Sequence, residues 1–455
     1  MYWTEDRTQD LLQKALKYSE ADQTEVTFAA KDFALTRFAA NAIHQNMSEQ
    51  DAVLTVRVAR GKKLGSYATN QLDDDGIKTA VREAAKLADM NEPTDIFNGF
   101  TPKMDLGTIR EPVYIAKTEQ AGAAERADLA YRLIRKTDES GFEAAGSISN
   151  STLASGVATS NGQTAYQLET RCYGLTVINR PGQAGFGTGY AEHFGRDIDK
   201  LDPEALAETG CRVSRMNHDA KPIDPGKYTC VMSPASVALL LYYLGWMGLQ
   251  GRAVLSKQSF LAGHWGEQVL NPMVTIYDDA LDGRNYGMPF DWEGYPRERV
   301  NIVTNGIAND VVWDSFTAAK GGRKSTGHAL SPMRDRYYSS PMAEHLILEK
   351  GDKTVDEMIA NTEYGLYINH MWYVREVNFA DCTVTGMTRD GTFLIENGKI
   401  TRAVNNLRFD QSLVKAFNNV SMIGNKQELS EVSMGAMLCP AVTFNDFSID
   451  AASSF

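Results

Sequence analysis

Cysteine is scarce in this sequence, and the few cysteines lie far apart. The 455 residues contain 5 cysteines, an odd number, and no Cys-x-x-Cys pair occurs. This spacing argues against a zinc ribbon and against a disulfide framework. We therefore predict a reduced, cytoplasmic protein. The cysteines are Cys172, Cys211, Cys230, Cys382 and Cys439.

The sequence also lacks an excess of basic residues and a long apolar run. It has 46 Lys and Arg against 58 Asp and Glu, a formal net charge of -12. Because phosphate contacts need a basic surface, we expect no nucleic-acid partner. The start of the chain has neither the basic nor the apolar segment of a signal peptide. A membrane span needs roughly 20 apolar residues, and the longest run is shorter, so we expect no membrane partner.

The patterns that are present predict an α+β fold with two domains. The length of 455 residues exceeds that of a usual single core, and 43% of the residues are hydrophobic. Helices and strands come in separate blocks rather than in strict alternation. We predict an N-terminal domain over residues 1–220 with helices and an antiparallel sheet, and a mainly β C-terminal domain over 226–455 with one buried helix. Helices are predicted at 4–18, from 73, at 118–136, at 203–216 and near 355–362, and strands within 54–69 and 143–179, at 300–303, 366–368, 383–388 and 442–449.

The predicted buried helix begins near residue 234. Ser233 can cap it through its hydroxyl group, and Pro234 fits its first turn, where no amide donor is needed. All residues from 237 to 244 are apolar or aromatic. Gly245, Gly248 and Gly251 then weaken the helix and permit a turn. An interrupted run of this kind is typical of a helix surrounded by a large core.

Short stretches along nearly the whole chain resemble the TldD/PmbA family, once named for modulation of DNA gyrase. Their order and coverage carry the resemblance more than any single stretch does. They lie at residues 37–46, 65–70, 158–162, 187–191, 257–260, 266–269, 289–294, 305–306, 327–328 and 393–400.

The family has two kinds of member. TldD-type chains carry a helical HExxxH motif, which holds zinc, and a cysteine ligand near the C-terminus; TldE-type chains, also called PmbA, lack the motif and pair with a TldD chain. The family pattern ends in a turn similar to residues 248–251. Counting back from this turn, the two histidine positions are occupied by Tyr242 and Met247, and the glutamate position by Tyr243. A phenol binds zinc poorly near neutral pH, and a thioether is too soft for a hydrolytic zinc site.

Other residues could carry chemistry independently of the resemblance. The turn that contains His264 and Glu267, followed by Gln268, could contact a peptide or the partner's active site, or it could be a structural turn. Asp278, Asp279 and Asp282 do not have the spacing of an EF-hand, and we predict a solvated acidic turn. Residues 321–327 lack the glycine pattern of a phosphate-binding loop and are interpreted as a flexible basic loop.

The resemblance implies a TldE/PmbA-type subunit that has no metal of its own. A TldD-like partner would supply the zinc ion, and this chain would help to hold an unfolded or short peptide. Two alternatives remain open. The chain could be a self-sufficient hydrolase that uses Cys439, His264 or His328, or a homo-oligomeric peptide-binding protein without catalysis.

Overall fold

The structure is a computed structural model that describes residues 3–182, 187–331, 341–433 and 435–452. Its helices are α1 (Glu5–Tyr18), α2 (Asp74–Met90), α3 (Ala116–Gln120), α4 (Ala123–Glu139), α5 (Pro203–Met216), α6 (Pro234–Gly248), α7 (Gly251–Leu255), α8 (Ser315–Gly321), α9 (Val355–Ala360) and α10 (Leu413–Asn418), with a 3-10 turn at Ile198–Lys200.

The strands divide into two sheets. The first contains β1 (Gln23–Ala39), β2 (Ala42–Arg60), β3 (Lys63–Thr69), β4 (Glu143–Thr159), β5 (Thr164–Asn179) and β6 (Gly189–Gly195). The second contains β7 (Gly226–Met232), β8 (Ile276–Asp278), β9 (Val300–Thr304), β10 (Ile307–Ala308), β11 (Leu346–Leu348), β12 (Tyr364–Asn378), β13 (Thr383–Glu396), β14 (Lys399–Ala403), β15 (Leu407–Ser412), β16 (Val420–Val432), β17 (Gly435–Ile449) and β18 (Ala451–Ala452).

The N-terminal sheet is antiparallel throughout, in the order β3-β2-β1-β4-β5-β6. Side chains alternate between its two faces, as the pleat of a strand requires. Val26 and Phe28 point towards α1 and α2 and lie in the core beneath them. Lys31 and Phe33, on the opposite face of β1, line a cavity that the C-terminal half of the chain closes. One face of this sheet therefore packs against helices, and the other face lines the cavity.

The C-terminal sheet is mixed, in the order β10-β9-β8-β11-β17-β7-β12-β13-β15-β18, with β14 beside β13 and β16 beside β17. Its parallel pairs are β7 with β12 and β11 with β17. Helix α6 packs against β12, β16 and β17 and lies inside the largest hydrophobic core of the described residues. The α+β class and the buried helix are confirmed.

One predicted helix is wrong in extent. Residues 118–136 do not form a continuous helix, because α3 ends at Gln120 and α4 begins at Ala123. Ala121 and Gly122 between them have extended backbones, with φ of -60° and -88°. The carbonyl of Ala121 accepts hydrogen bonds from Arg126 and Asn150, so tertiary contacts stabilise the break.

The division into domains 1–220 and 226–455 stays a prediction. The two halves touch in several places: Arg110 pairs with Asp279 at 2.7 Å, and Thr188 donates a hydrogen bond to Asp390 at 2.6 Å. Across the described residues, no helix combines the length and the apolar character needed to cross a membrane.

Candidate functional site

Helix α6 begins as its sequence predicts. The Ser233 hydroxyl accepts a hydrogen bond from the Ser236 amide at 3.2 Å, and Pro234 occupies the first turn. Gly245 allows a close approach by β11, because a Cβ atom there would lie 2.5 Å from a methyl carbon of Leu346. Glycine at this position thus places the helix directly against the sheet.

The three positions that the family resemblance assigns to the metal motif face the core. Tyr242, Tyr243 and Met247 are 4%, 7% and 0% exposed. The Tyr243 hydroxyl donates a hydrogen bond to the Val374 carbonyl of β12, and its ring packs edge-on against Tyr242 at 5.3 Å between centroids. Burial raises the pKa of Tyr243, so the ionised phenolate form is even less populated near neutral pH. These three side chains act as packing groups in the core.

The donor set at α6 does not fit zinc, which takes histidine, thiolate and carboxylate ligands. Two phenols and one thioether offer none of these groups. Within the ranges that the structure describes, no three or more His, Cys, Asp or Glu side chains cluster in a way that could hold a metal ion.

His264, Glu267 and Gln268 form a surface turn. His264 Nδ1 lies 2.7 Å from Glu267 Oε2, and the two side chains are 56% and 63% exposed. Gly266 has a φ of +80°, which glycine adopts without strain. Gln268 donates to the backbone carbonyls of Leu270 and Asn305 and so ties the turn to the β9–β10 hairpin. The turn is well formed and accessible, and its contact with a peptide or partner stays a prediction.

The predicted solvated acidic turn is wrong. Asp278 and Asp279 are 0% exposed and Asp282 is 8% exposed. Asp278 ends β8, and its carboxylate is enclosed by the buried His328 side chain and the His345 amide. The other two carboxylates are compensated by Arg110 and Arg284, each with a nitrogen 2.7 Å from an acidic oxygen. Arg110, which is distant in sequence, and the neighbouring Arg284 together make this burial tolerable.

Part of the predicted flexible basic loop is also fixed in the interior. Thr326 is 7% exposed, and its hydroxyl accepts from the Trp313 amide at 2.8 Å. The same hydroxyl lies 2.9 Å from His328 Nδ1. The prediction of a flexible loop fails at Ser325 and Thr326, whereas Arg323 and Lys324 are exposed as expected.

Two candidates for a self-sufficient hydrolase are poorly suited to catalysis. Cys439 is 0% exposed, and burial raises the pKa of its thiol far above the usual value, so the thiolate that would attack a substrate is suppressed. His328 is also 0% exposed, and its two ring nitrogens are within hydrogen-bond distance of Asp278 and Thr326. His264, the third candidate, lies at the surface with Glu267 as its partner.

A cavity of about 450 Å³ lies between the two halves of the chain. Strands β1, β2, β4 and β5 form one wall, and segments around Met288, Glu344 and Ala436 form the other. A second space of about 280 Å³ continues from it past Arg171 and Tyr286. The cavity is strongly charged. Its ionisable side chains are Lys31, Glu49, Asp51, Glu169, Arg171, Arg297, Glu344, His345 and Glu431.

The back of this cavity contains a buried arginine. The Arg297 side chain is 0% exposed, and it donates to Glu344 at 2.6 Å and to His345 Nδ1 at 3.1 Å. Burial and the neighbouring Arg297 charge lower the pKa of His345 to about 3. His345 is therefore neutral near pH 7. Since its Nδ1 accepts from Arg297, its proton resides on Nε2.

Two parts of the chain match domains of one family. Residues 225–451 match the PmbA/TldA metallopeptidase C-terminal domain, and residues 25–88 match PmbA/TldA metallopeptidase domain 1. The chain belongs to the PmbA/TldD family. The resemblance inferred from the sequence is confirmed.

Curated relatives in this family are similar over most of their length. A metalloprotease TldD homolog from Buchnera aphidicola subsp. Acyrthosiphon pisum is 23% identical over 414 residues, which cover 86% of this chain and 82% of the relative. The metalloprotease PmbA of Escherichia coli O157:H7 is 24% identical over 411 residues, covering 86% and 85%. The crystal structure of TldE from Thermococcus kodakarensis has a TM-score of 0.86 at 20% identity, covering 98% of this chain and 100% of that one.

Residue patterns alone do not predict the cavity of this PmbA/TldD chain. Glu169, Arg171 and Tyr173 alternate along β5 and all line it. That two-residue period of polar and aromatic side chains was the available signal, but an alternating strand ordinarily turns such a face to water. Only the C-terminal half, folded over the sheet, makes the face part of an enclosed site.

Proposed function

We propose that this chain is the non-catalytic, TldE/PmbA-type subunit of a zinc metalloprotease. The observation that supports the proposal is that Tyr242, Tyr243 and Met247 of α6, which the resemblance places at the motif positions, are packed in the core. A hydrolytic zinc ion needs ligands with an open coordination position for water. Such a site has no donors here, so the zinc belongs to a TldD-like partner that carries HExxxH.

The proposed contribution of this chain is to hold an unfolded or short peptide. On one edge, β2 pairs with β1 through residues 42–59, and on the opposite edge it pairs with β3 only through residues 54–60. Among the described strands, the other edge of β2 from 42 to 53 is therefore open. Glu49 and Asp51 on this edge also line the 450 Å³ cavity. An extended peptide could add to the edge through main-chain hydrogen bonds and place side chains in the cavity.

A folded substrate suits this arrangement poorly, because its backbone groups are already paired. The proposal therefore restricts the substrates to unfolded or short peptides. It also includes the cytoplasmic location that the widely spaced cysteines indicate. In the described residues the five thiols are free and buried.

Co-purification with an HExxxH-bearing relative from the same genome tests the proposal. We expect a tag on this chain to recover both chains and zinc, and we expect the pair to cleave an unfolded protein such as reduced, alkylated casein. Chelation should abolish cleavage. A pair whose partner has glutamine in place of its motif glutamate should assemble without cleaving. Tyr243→Phe in this chain should leave cleavage by the pair unchanged, because the Tyr243 hydroxyl group binds the Val374 carbonyl of the same chain and not a metal or a substrate in this proposal.

Two results would contradict the proposal. Cleavage of casein by this chain alone in the presence of a chelator would support a self-sufficient hydrolase. A homo-oligomer that binds peptides but recovers no HExxxH-bearing chain would support a peptide-binding protein without catalysis.

A further inference from the structure

Tyr286 lines both parts of the cavity and has an unsatisfied hydroxyl group. The residue is 4% exposed. Its hydroxyl oxygen is buried and has no hydrogen-bond partner among the residues that the structure describes. Burial and the charge of Glu431 raise the pKa of Tyr286 well above the usual value, so the hydroxyl stays protonated beside a carboxylate. A buried polar group without a partner is costly, and in a cavity it indicates a position for a ligand atom.

Two arginines hold the Tyr286 ring in place. Arg171 lies 4.0 Å from the ring centroid, and Arg196 lies 5.6 Å from it. Arg196 also donates to the carbonyls of Gly283 and Asn285 and so fixes the loop that carries the tyrosine. The hydroxyl is therefore presented by a rigid support, as a binding group should be.

The larger cavity that this hydroxyl borders has an excess of negative charge. Five carboxylates and three cationic side chains line the larger cavity. Arg171 is neutralised by Glu169 at 2.6 Å, and Arg297 by Glu344 at 2.6 Å. Glu431 is farther from Arg171, at 3.6 Å, and its side chain is 39% exposed. Of the two carboxylates beside Tyr286, Glu431 therefore has the looser ion pair and can receive a second cation more readily than Glu169.

The remaining charges lie towards the open edge of β2. Asp51 is the direct cross-strand neighbour of Lys31, and the Lys31 ammonium lies 4.7 Å from the ring centroid of Phe33. Glu49, two residues away on β2, adds a further negative charge on the same face. A basic side chain that enters along this edge would meet Glu49 and Asp51 first and Glu431 at the end of its path.

We propose that this cavity binds the ammonium or guanidinium group of a basic peptide side chain, between the Glu431 carboxylate and the Tyr286 hydroxyl oxygen. The inference rests on the proposed peptide-holding role, because that role supplies the ligand. It goes beyond that role by giving the subunit its own side-chain preference, independent of the cleavage site on the partner.

Binding of three matched peptides to the isolated full-length chain tests the inference. The probes are acetylated and amidated pentapeptides of alanine with lysine, norleucine or glutamate at the centre, measured by calorimetry. We expect lysine to bind about tenfold more tightly than norleucine, as a charge-assisted hydrogen bond allows, and glutamate to bind least. Added salt should weaken the binding of the lysine peptide most.

Substitutions then locate the site. Glu431→Gln should remove most of the preference for lysine, and Tyr286→Phe should weaken binding of the lysine peptide about fivefold while keeping the ring between its arginines. Glu428→Gln is the matched control, since Glu428 lies on the same strand but pairs with Lys426 at 2.8 Å outside the cavity. It should retain the preference.

Equal affinity for the lysine and norleucine peptides would overturn the inference, as would a preference that survives in Glu431→Gln. Failure to recover a partner chain would instead contradict the proposed subunit role. Because the peptide assay uses no partner and no cleavage, the two failures are distinguishable.

Discussion

The Nε2 atom of His328 lies 3.0 Å from Oδ1 of Asp278, and both side chains are 0% exposed. The second oxygen of Asp278 accepts from the His345 amide at 2.8 Å. Burial alone would raise the pKa of Asp278, but His328 and its hydrogen bond hold it below the usual value. This carboxylate, which the sequence alone assigns to solvent, joins three segments of the C-terminal half.

Asp278→Ala should strongly destabilise the protein. It leaves His328 and the His345 amide buried without their acceptor, and loss of one member of a buried pair costs about 3–5 kcal/mol. The free energy of unfolding in urea measures the loss. Asp352→Ala is the control, because Asp352 is 82% exposed and its pair with Lys353 lies at the surface; it should change stability by less than about 0.5 kcal/mol. Similar values for the two variants would contradict the prediction.

His345 should make the protein less stable as the pH falls. An unfolded histidine takes up its proton near pH 6.5, whereas folded His345 has a pKa of about 3. Between these values the unfolded state binds more protons, so acidification favours unfolding. His345→Asn cannot take up this proton. As the pH falls below about 6, the unfolding free energy of the variant should therefore rise relative to that of the wild type by on the order of 1 kcal/mol per pH unit.

The measurement is urea unfolding of both proteins across this pH range. The asparagine oxygen can accept from Arg297 in place of Nδ1, so the variant retains one of the contacts that His345 makes. A constant gap between the two stability curves would show that His345 titrates normally in the folded protein.

Restoring the motif residues should not create a protease. The variant that combines Tyr242→His, Tyr243→Glu and Met247→His places polar groups in the core at a cost of about 1–3 kcal/mol for each unpaired group. It still lacks a third ligand and the partners that orient metal-bound histidines. Zinc analysis and casein cleavage by the isolated variant measure the outcome. A stable variant that binds zinc and cleaves would contradict our interpretation of α6.

Gly251, the first residue of α7, should not tolerate a side chain. A Cβ atom on Gly251 would lie 2.2 Å from the Trp313 ring, and that ring is fixed by a 3.0 Å hydrogen bond from its nitrogen to Asp310. Gly251→Ala should therefore cost about 1–3 kcal/mol through overpacking. Gly226→Ala, where the nearest atom would be 3.6 Å away, should change the midpoint of thermal unfolding little. Equal shifts in the two variants would contradict this account.

Much of the local structure could be predicted from residue patterns. The cap at Ser233 and the apolar run behind it predict α6, which begins at Pro234. The alternation in β2 predicts a strand but not its length of 19 residues. Residues 42–51 of that strand are exposed and show little hydrophobic alternation. Their strand conformation depends on β1, whose residues 31–39 pair with them.

The cavity could not be predicted, because its members come from distant segments. Arg171 belongs to β5, Tyr286 to a loop after β8, and Glu431 to β16. Each looks like a surface or core residue in its own segment. Their shared site exists only because β6 contacts β16 and brings the two sheets together.

By itself, the sequence determined the family, the α+β class, the helix α6 and the absence of histidine and glutamate from that helix. These follow from residue identity and from short-range periodicity, which act within a few residues of the chain. Tertiary structure alone decided that the Asp278 carboxylate is buried against His328 and that a charged cavity faces Tyr286. Burial and charge pairing depend on which distant segments pack together, because each buried charge is stable only beside a partner that the fold supplies.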